Sequence, residues 1–264
     1  MNKKITIILI VVLLALTGGL LIIYELNKED DDTPPAKEPT PIVETKNLIL
    51  ENVSTWHYAD GSWSNATTSS LEDKAYFVYN NNRYLGEYRL KYGTTWNLFD
   101  DYDNYVNYDG SLIAYSTNFN IEVKNIVDKE ISIEEISEIS SIIGYDIDIV
   151  DLSLAMAVTA HLDNSGNIDK IVSVSNLDAE TEQSIYFNLV YVKKNGKIDI
   201  LINERIPVTD IFNAPNYTIK NVLNIEESDV ASIIVQKGYF SEAGKTGNII
   251  FEYSANKYTK TYED

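Results

Sequence analysis

The sequence predicts a mainly β protein, in which one N-terminal transmembrane helix and a spacer precede antiparallel β units joined by one short helix. Three observations indicate this class. An uncharged apolar segment lies near the N-terminus, an acidic, proline-rich segment follows it, and the rest of the chain consists of short runs rich in Tyr, Ile and Val. Such runs, separated by Gly, Asn and Asp, are typical of antiparallel strands and tight turns.

The apolar segment, residues 5–24, reads ITIILIVVLLALTGGLLIIY and contains no charge. At roughly 1.5 Å per residue, a helix of this length spans about 30 Å, the thickness of a bilayer core. Two lysines in residues 1–4 precede it and acidic residues follow, so we expect a single-pass protein of the cell membrane with a cytoplasmic N-terminus. A signal peptide cleaved near Ala15–Gly19 is the alternative, but it would leave LLIIY exposed.

The segment after the helix, residues 25–46, holds four of the six prolines and a run of acids. We expect an extended, solvated spacer that holds a folded part away from the membrane. The chain contains no cysteine, which excludes disulfides, thiolate metal sites, cysteine catalysis and a lipid-modified cysteine anchor. Retention at the membrane would therefore depend on the apolar helix.

The charge of the remaining chain excludes nucleic acid as a partner. From residue 47 onward there are 16 Lys and Arg and 33 Asp and Glu, a net charge of −17 out of −19 for the whole chain. Such a surface repels phosphate backbones. The bias toward Ile, Asn, Lys and Tyr favours a bacterial source with an AT-rich genome.

Three regions follow the spacer: an N-terminal β domain at 47–127, a helix-containing connector at 128–150 and a C-terminal β domain at 151–264. In the connector, Ser132 and Glu135 form the pattern of a capping box and Gly144 is a helix stop. The predicted apolar stripe consists of Ile133, Ile136, Ile139 and Ile143. In the N-terminal domain, alternation in RYLGEYRLKY predicts an inward face made of Tyr84, Gly86, Tyr88 and Leu90.

The C-terminal domain repeats itself at an offset of 63 residues. The offset aligns Asp163 with Glu226, Asp169 with Ser232, and AHLDNSGNIDKIV (160–172) with the segment before SIIV. Each copy continues into two further strands around a turn, at Asn195-Gly196 and near Asn256. The pattern predicts two units of four antiparallel strands, arranged as propeller blades or as paired meander sheets.

Residues 160–172 resemble the loop of FG-GAP or VCBS-type β-propeller blades, in which alternate acidic residues before an apolar strand bind calcium. The resemblance extends over residues 155–264 and does not include the N-terminal β domain. It implies a calcium loop with ligands Asp163, Ser165, Asn167 and Asp169, and His161 stands where the first acid would be. Because calcium prefers several carboxylates and imidazole suits it poorly, we expect a structural turn and no bound cofactor. A calcium site remains the alternative.

The motifs of common enzyme classes are missing from the sequence. Its two histidines, His57 and His161, lie about a hundred residues apart, and no nucleophile elbow, phosphate loop, dinucleotide fingerprint or zinc-protease motif occurs. We therefore expect a protein that is not an enzyme.

The aromatic residues of WHYADGSW remain as candidate binding residues. Trp56, Tyr58 and Trp63 cluster about a predicted turn, where side chains project outward, and their flat rings suit sugars or a protein partner. We expect a non-catalytic, extracytoplasmic surface module that binds cell-wall glycan or an envelope protein. The alternative function is a calcium-dependent adhesion or sensor module that uses the 161–169 loop.

Overall fold

The first part of the folded chain forms one antiparallel sheet of seven strands, here called the N-terminal sheet. Its strands are β1 (Lys46–Leu50), β2 (Ser54–Ala59), β3 (Ser62–Asn65), β4 (Ala75–Asn80), β5 (Arg83–Tyr92), β6 (Trp96–Phe99) and β7 (Leu112–Ser116). Their order across the sheet is β3-β2-β1-β7-β4-β5-β6. Both β2–β3 and β4–β5 are hairpins, closed at Asp60-Gly61 and Asn81-Asn82 by residue pairs with positive φ. Such pairs favour the turn that matches strand twist.

Two further antiparallel sheets contain the other strands. The strands are β8 (Ile121–Val123), β9 (Val127–Lys129), β10 (Leu154–Ala160), β11 (Asp169–Asp178), β12 (Ile185–Lys194), β13 (Lys197–Pro207), β14 (Pro215–Ile225), β15 (Ser232–Tyr239), β16 (Thr246–Ser254) and β17 (Lys257–Glu263). The outer sheet has the order β13-β12-β11-β10-β9 and the middle sheet the order β17-β16-β15-β14-β8.

This architecture comes from a computed structural model that describes residues 45–51, 54–92, 96–106, 111–144, 154–178, 185–207, 214–239 and 246–264. The predicted transmembrane segment, 5–24, and all but the last two residues of the predicted spacer, 25–46, lie outside the described residues. Within them, neither helix is long and apolar enough to span a membrane.

The middle sheet packs between the other two sheets, and its sequence shows why. In SIIV and NIIF, Ile233, Val235, Ile249 and Phe251 face the outer sheet, where they join Ile171 and Val190 in one core. The intervening Ile234 and Ile250 point the opposite way, into a second core shared with the N-terminal sheet. Alternate residues of a strand face opposite sides of a sheet, so a strand buried on both faces is apolar at every position.

Helices cover the outermost faces of this stack. Helix α1 (Thr68–Leu71) places Leu71 against the far face of the N-terminal sheet, in a core with Tyr76, Val78 and Leu90. Helix α2 (Ile133–Ile143) places Ile139 and Ile143 against the far face of the outer sheet.

The predicted limits of α2 are confirmed, but one residue of its apolar stripe is not. The Glu135 carboxylate accepts a hydrogen bond of 2.8 Å from the Ser132 backbone N–H, and Gly144 ends the helix at a φ of 87°. Ile133, however, is 84% exposed, whereas Glu135 is fully buried. The buried face therefore follows positions 135, 139 and 143, and the acid on that face is held by Lys170.

The predicted repeat is present as two meanders, β10–β13 and β14–β17. Their second strands begin 63 residues apart, at Asp169 and Ser232, as the sequence alignment predicts. The sequence predicts either propeller blades or paired meander sheets, and the described strands form paired meander sheets that stack face to face across one core. Two short strands from before the meanders extend these sheets: β9 pairs with β10 in the outer sheet, and β8 pairs with β14 in the middle sheet. The part of the chain that belongs to the C-terminal sheets therefore begins at residue 121.

Candidate functional site

The predicted aromatic patch lies mostly inside the protein. Trp56 is fully buried and Trp63 is 7% exposed, both in the core between the N-terminal and middle sheets, while Tyr58 is half-buried beside them. The prediction that side chains at this strand end project outward is wrong for the two tryptophans, because the middle sheet covers β2 and β3. A binding role for these residues stays a prediction.

Hydrogen bonds to the middle sheet explain why the two indoles can be buried. The indole N–H of Trp56 donates to Asp264 Oδ2 at 3.1 Å, and that of Trp63 donates to Glu252 Oε1 at 2.9 Å. A buried indole N–H without an acceptor would cost free energy, so these carboxylates stabilise the contact between sheets. The two tryptophans therefore help to hold the N-terminal sheet in place.

The predicted calcium loop is an ordered turn in which protein groups bind the acids. The Asp163 carboxylate lies 2.6 Å from Lys194 Nζ and accepts a hydrogen bond of 2.9 Å from the Ser165 backbone N–H. These contacts, led by the one to Lys194, lower the pKa of Asp163 to about 2. Gly166 has a φ of 80°, which explains why glycine stands at the sharp bend.

The remaining loop residues serve the turn and its neighbours. Asp169 is buried and accepts hydrogen bonds from the backbone N–H groups of Leu162 and Asn195, at 3.4 and 3.3 Å, and burial raises its pKa. Ser165 Oγ accepts from the Asn167 N–H, and His161 Nδ1 lies 2.8 Å from the Asn167 carbonyl oxygen. Thus every predicted ligand side chain has a partner within the protein.

Acidic and histidine side chains do not form a metal-type cluster elsewhere in the described ranges. There, no group of three or more His, Asp or Glu side chains is placed to hold a metal ion. His57, the second histidine, lies on β2 with Nδ1 at 3.3 Å from Asn47 Oδ1. The structure thus does not bring the two histidines together in one site.

A different set of aromatic residues forms a part-exposed surface, here called the aromatic face: Phe77, Tyr79, Tyr84 and Tyr115. Phe77 and Tyr79 each contact both Tyr84 and Tyr115, with ring centroids 5.1 to 6.2 Å apart, and the rings of Tyr79 and Tyr115 are stacked at an interplanar angle of 18°. Tyr115 is 5% exposed and Tyr84 is 49% exposed. The rings therefore run from the core out into solvent.

The aromatic face exists because the N-terminal sheet is wider than the sheet that covers it. On the side facing the middle sheet, the fully buried residues of the N-terminal sheet come from β1, β2, β3 and β7. Phe77 and Tyr79 on β4 only border this core, and β5 lies one strand farther out. This half of the sheet thus presents its rings to solvent.

A bulge in β5 places Tyr84 on the aromatic face. The β4–β5 register shifts between Val78 and Tyr79, so that Tyr79 lies opposite Tyr84 and not opposite Leu85. Gly86 next to the shift has a φ of 145°, a conformation that side chains with a Cβ rarely adopt. The sequence prediction that Tyr84 shares a face with Gly86, Tyr88 and Leu90 is therefore wrong at Tyr84, because the bulge reverses the alternation there.

Charged side chains on β5 border the aromatic face. Glu87 lies opposite Phe77 and so projects on the same side of the sheet, as does Arg89 two residues later. Both are exposed, and Lys91 Nζ lies 5.2 Å from the ring centroid of Phe99 on β6. The surface thus combines ring faces with hydrogen-bond donors and acceptors.

Sequence reasoning missed the aromatic face for a physical reason. Tyr79 and Tyr84 flank an Asn81-Asn82 turn, a signal readable from the sequence, but their exposure depends on how far the middle sheet reaches.

Comparison with known proteins adds no further guide, since no family model, no curated protein and no solved structure matches this chain.

Proposed function

We propose that this chain is a non-catalytic binding module of the cell envelope whose aromatic face binds cell-wall glycan. The observation that carries the proposal is the group of part-exposed rings, Phe77, Tyr79 and Tyr84, on the part of the N-terminal sheet that the middle sheet leaves uncovered. A tyrosine ring offers a flat apolar face and a hydroxyl at its edge. These features complement the C–H face and the hydroxyl groups of a sugar.

The arrangement of the rings suits an extended polymer more than a compact ligand. Phe77 and Tyr79 on β4 and Tyr84 on the adjacent β5 are the accessible rings, and they follow a line across the sheet that begins at the buried Tyr115 on β7. Burial, followed by a hydrogen bond with Tyr79, raises the pKa of Tyr115, whose ring is 5% exposed and supports the Tyr79 ring from the core. Glu87 and Arg89 supply polar contacts at the border of the row.

The N-terminal segments would place this surface outside the membrane. In the proposal, residues 5–24 anchor the chain with its N-terminus in the cytoplasm, and residues 25–46 separate the folded part from the lipid. A fully extended spacer of this length reaches about 70 Å. The folded part could then contact wall polymer while it remains attached to the membrane.

Co-sedimentation with purified wall sacculi tests the proposal. Full-length chain in detergent micelles should pellet with sacculi, and a Phe77→Ala/Tyr84→Ala double variant should remain in the supernatant. Tyr102→Ala is the matched control, because Tyr102 is 86% exposed and lies outside the aromatic face. If the wild-type chain does not pellet, or if the double variant pellets equally well, glycan binding by this face is wrong and an envelope protein becomes the candidate partner.

A further inference from the structure

A small cavity lies between the tips of two equivalent hairpins, one from each meander. The β12–β13 hairpin turns at Asn195-Gly196 and the β16–β17 hairpin at Ala255-Asn256, all four residues having φ between 50° and 76°. The cavity between them has a volume of about 170 Å³. The residues that line it include Lys194, Lys197, Asp199, Tyr253, Asn256 and Tyr258. It is called here the hairpin pocket.

Two tyrosines form a rigid wall of the hairpin pocket. The ring centroids of Tyr253 and Tyr258 are 5.1 Å apart at an interplanar angle of 69°. Tyr258 is 5% exposed, and its hydroxyl donates to the Ala231 carbonyl oxygen at 3.0 Å. The half-buried ring of Tyr253 is held from one side by Lys194, whose Nζ lies 5.3 Å from the ring centroid. A wall fixed in advance lowers the entropic cost of binding.

The polar groups of the pocket offer both donors and acceptors with balanced charge. Lys194 is neutralised by Asp163 at 2.6 Å. Lys197 Nζ donates to the Asn256 carbonyl oxygen at 3.3 Å, and Asp199 Oδ2 accepts from the Tyr258 backbone N–H at 2.5 Å. An ammonium has three N–H donors and a carboxylate has about four acceptor positions, so both groups retain capacity for a ligand.

This chemistry selects among small ligands. A simple anion would meet the Asp199 carboxylate, and a simple cation would meet two ammonium groups, whereas a neutral ligand with adjacent hydroxyls can accept from Lys197 and donate to Asp199. The tyrosine wall additionally requires an apolar C–H face. We propose that the hairpin pocket binds one neutral sugar residue. This site is separate from the aromatic face and does not rest on the function proposed for it.

Titration calorimetry with single sugars tests this inference on the full-length chain in detergent. The probes are glucose, galactose and N-acetylglucosamine, with glycine and inorganic phosphate as zwitterionic and anionic comparators. At least one sugar should bind saturably in the millimolar range, and Lys197→Met should weaken it tenfold or more. Lys257→Met is the matched control, because Lys257 is exposed on the same pair of hairpins but does not line the pocket.

The outcomes separate this inference from the proposed function. Tyr84→Ala should leave single-sugar affinity unchanged, whatever its effect on binding to sacculi. The inference is overturned if no sugar binds, if phosphate or glycine binds more tightly, or if Lys197→Met and Lys257→Met behave alike. Melting curves of the two lysine variants should match the wild type, which shows that both are folded.

Discussion

Lys194 Nζ lies 2.6 Å from a carboxylate oxygen of Asp163, so a side chain of the protein supplies the positive charge beside the acid of the predicted calcium loop. Lys194 is the last residue of β12, and Asp163 follows β10, so the pair joins the loop to the neighbouring hairpin. Both side chains are mostly buried, at 17% and 15% exposure. The contact therefore stabilises the end of the outer sheet at which the loop after β10 meets the β12–β13 hairpin.

Stability should fall in acid partly because Asp163 is protonated. Its pKa is lowered from 3.8 to about 2, so the folded state favours the ionised form. The stabilisation is complete above pH 4 and is lost as the pH falls toward 2. We expect the free energy of unfolding, measured with urea, to fall over this range by about 1 kcal/mol more for the wild type than for Asp163→Asn. Parallel curves for the two proteins would contradict the role of this ion pair.

Calcium should leave the stability of the chain unchanged. Asp163 binds Lys194 and Asp169 binds two backbone N–H groups, so a metal ion would have to displace contacts already formed. Melting temperatures in millimolar calcium and in excess chelator should therefore agree. A ligand at a hundred times its dissociation constant adds about 2.7 kcal/mol of stability, so a real site would raise the melting temperature in calcium measurably. Such a rise would restore the calcium-dependent alternative.

Helix α2 should depend on its buried carboxylate. Burial opposes ionisation of Glu135, but hydrogen bonds from Lys170 and Ser132 outweigh it and its pKa lies below the ordinary value. Glu135→Gln would leave Lys170 without its partner, and we expect a loss of about 2 kcal/mol in the free energy of unfolding. Glu134→Gln should cost less than about 0.5 kcal/mol, because Glu134 is 69% exposed. Hydrogen exchange of the α2 amides should show the same order, and equal protection in both variants would contradict it.

The β5 bulge should be sensitive to a single methyl group. Gly86→Ala adds a Cβ at a φ of 145°, 3.4 Å from the Tyr88 ring, and should destabilise the chain by about 1–2 kcal/mol. The variant should also bind sacculi more weakly, since the bulge places Tyr84 beside Tyr79. Leu85→Ala, at the neighbouring part-exposed position, is the control and should retain binding. Full binding by a folded Gly86→Ala variant would contradict a role of the bulge in glycan binding.

Local features of the fold were readable from the sequence, because they depend on residues that are near one another in the chain. The Asn195-Gly196 turn and the Ser132–Glu135 cap are both present. The 63-residue repeat is also present, and it was readable because it is a pattern of the sequence itself. What the sequence could not show is which sheet faces which. Trp56 is buried only because residues some 200 positions later cover it, and the partner of its indole N–H is Asp264.

The two candidate sites show the same limit. The loop at 161–169 was found by its spacing, but Lys194, the residue that determines its charge, comes from another hairpin. The aromatic face depends on the width of two sheets and on a bulge, and neither follows from alternation in RYLGEYRLKY. Three-dimensional packing therefore decides which aromatic residues are available for binding.

The most direct test of the proposed function is the dissociation constant of a soluble wall-glycan fragment, released from sacculi by enzymatic digestion, for the full-length chain in detergent. The measurement compares the wild type, Tyr84→Ala and Tyr102→Ala. Loss of one stacking contact is worth about 1.4 kcal/mol, so the constant for Tyr84→Ala should be roughly tenfold higher, with the wild type and Tyr102→Ala equal. Equal constants for all three proteins, or no binding by the wild type, would contradict the account.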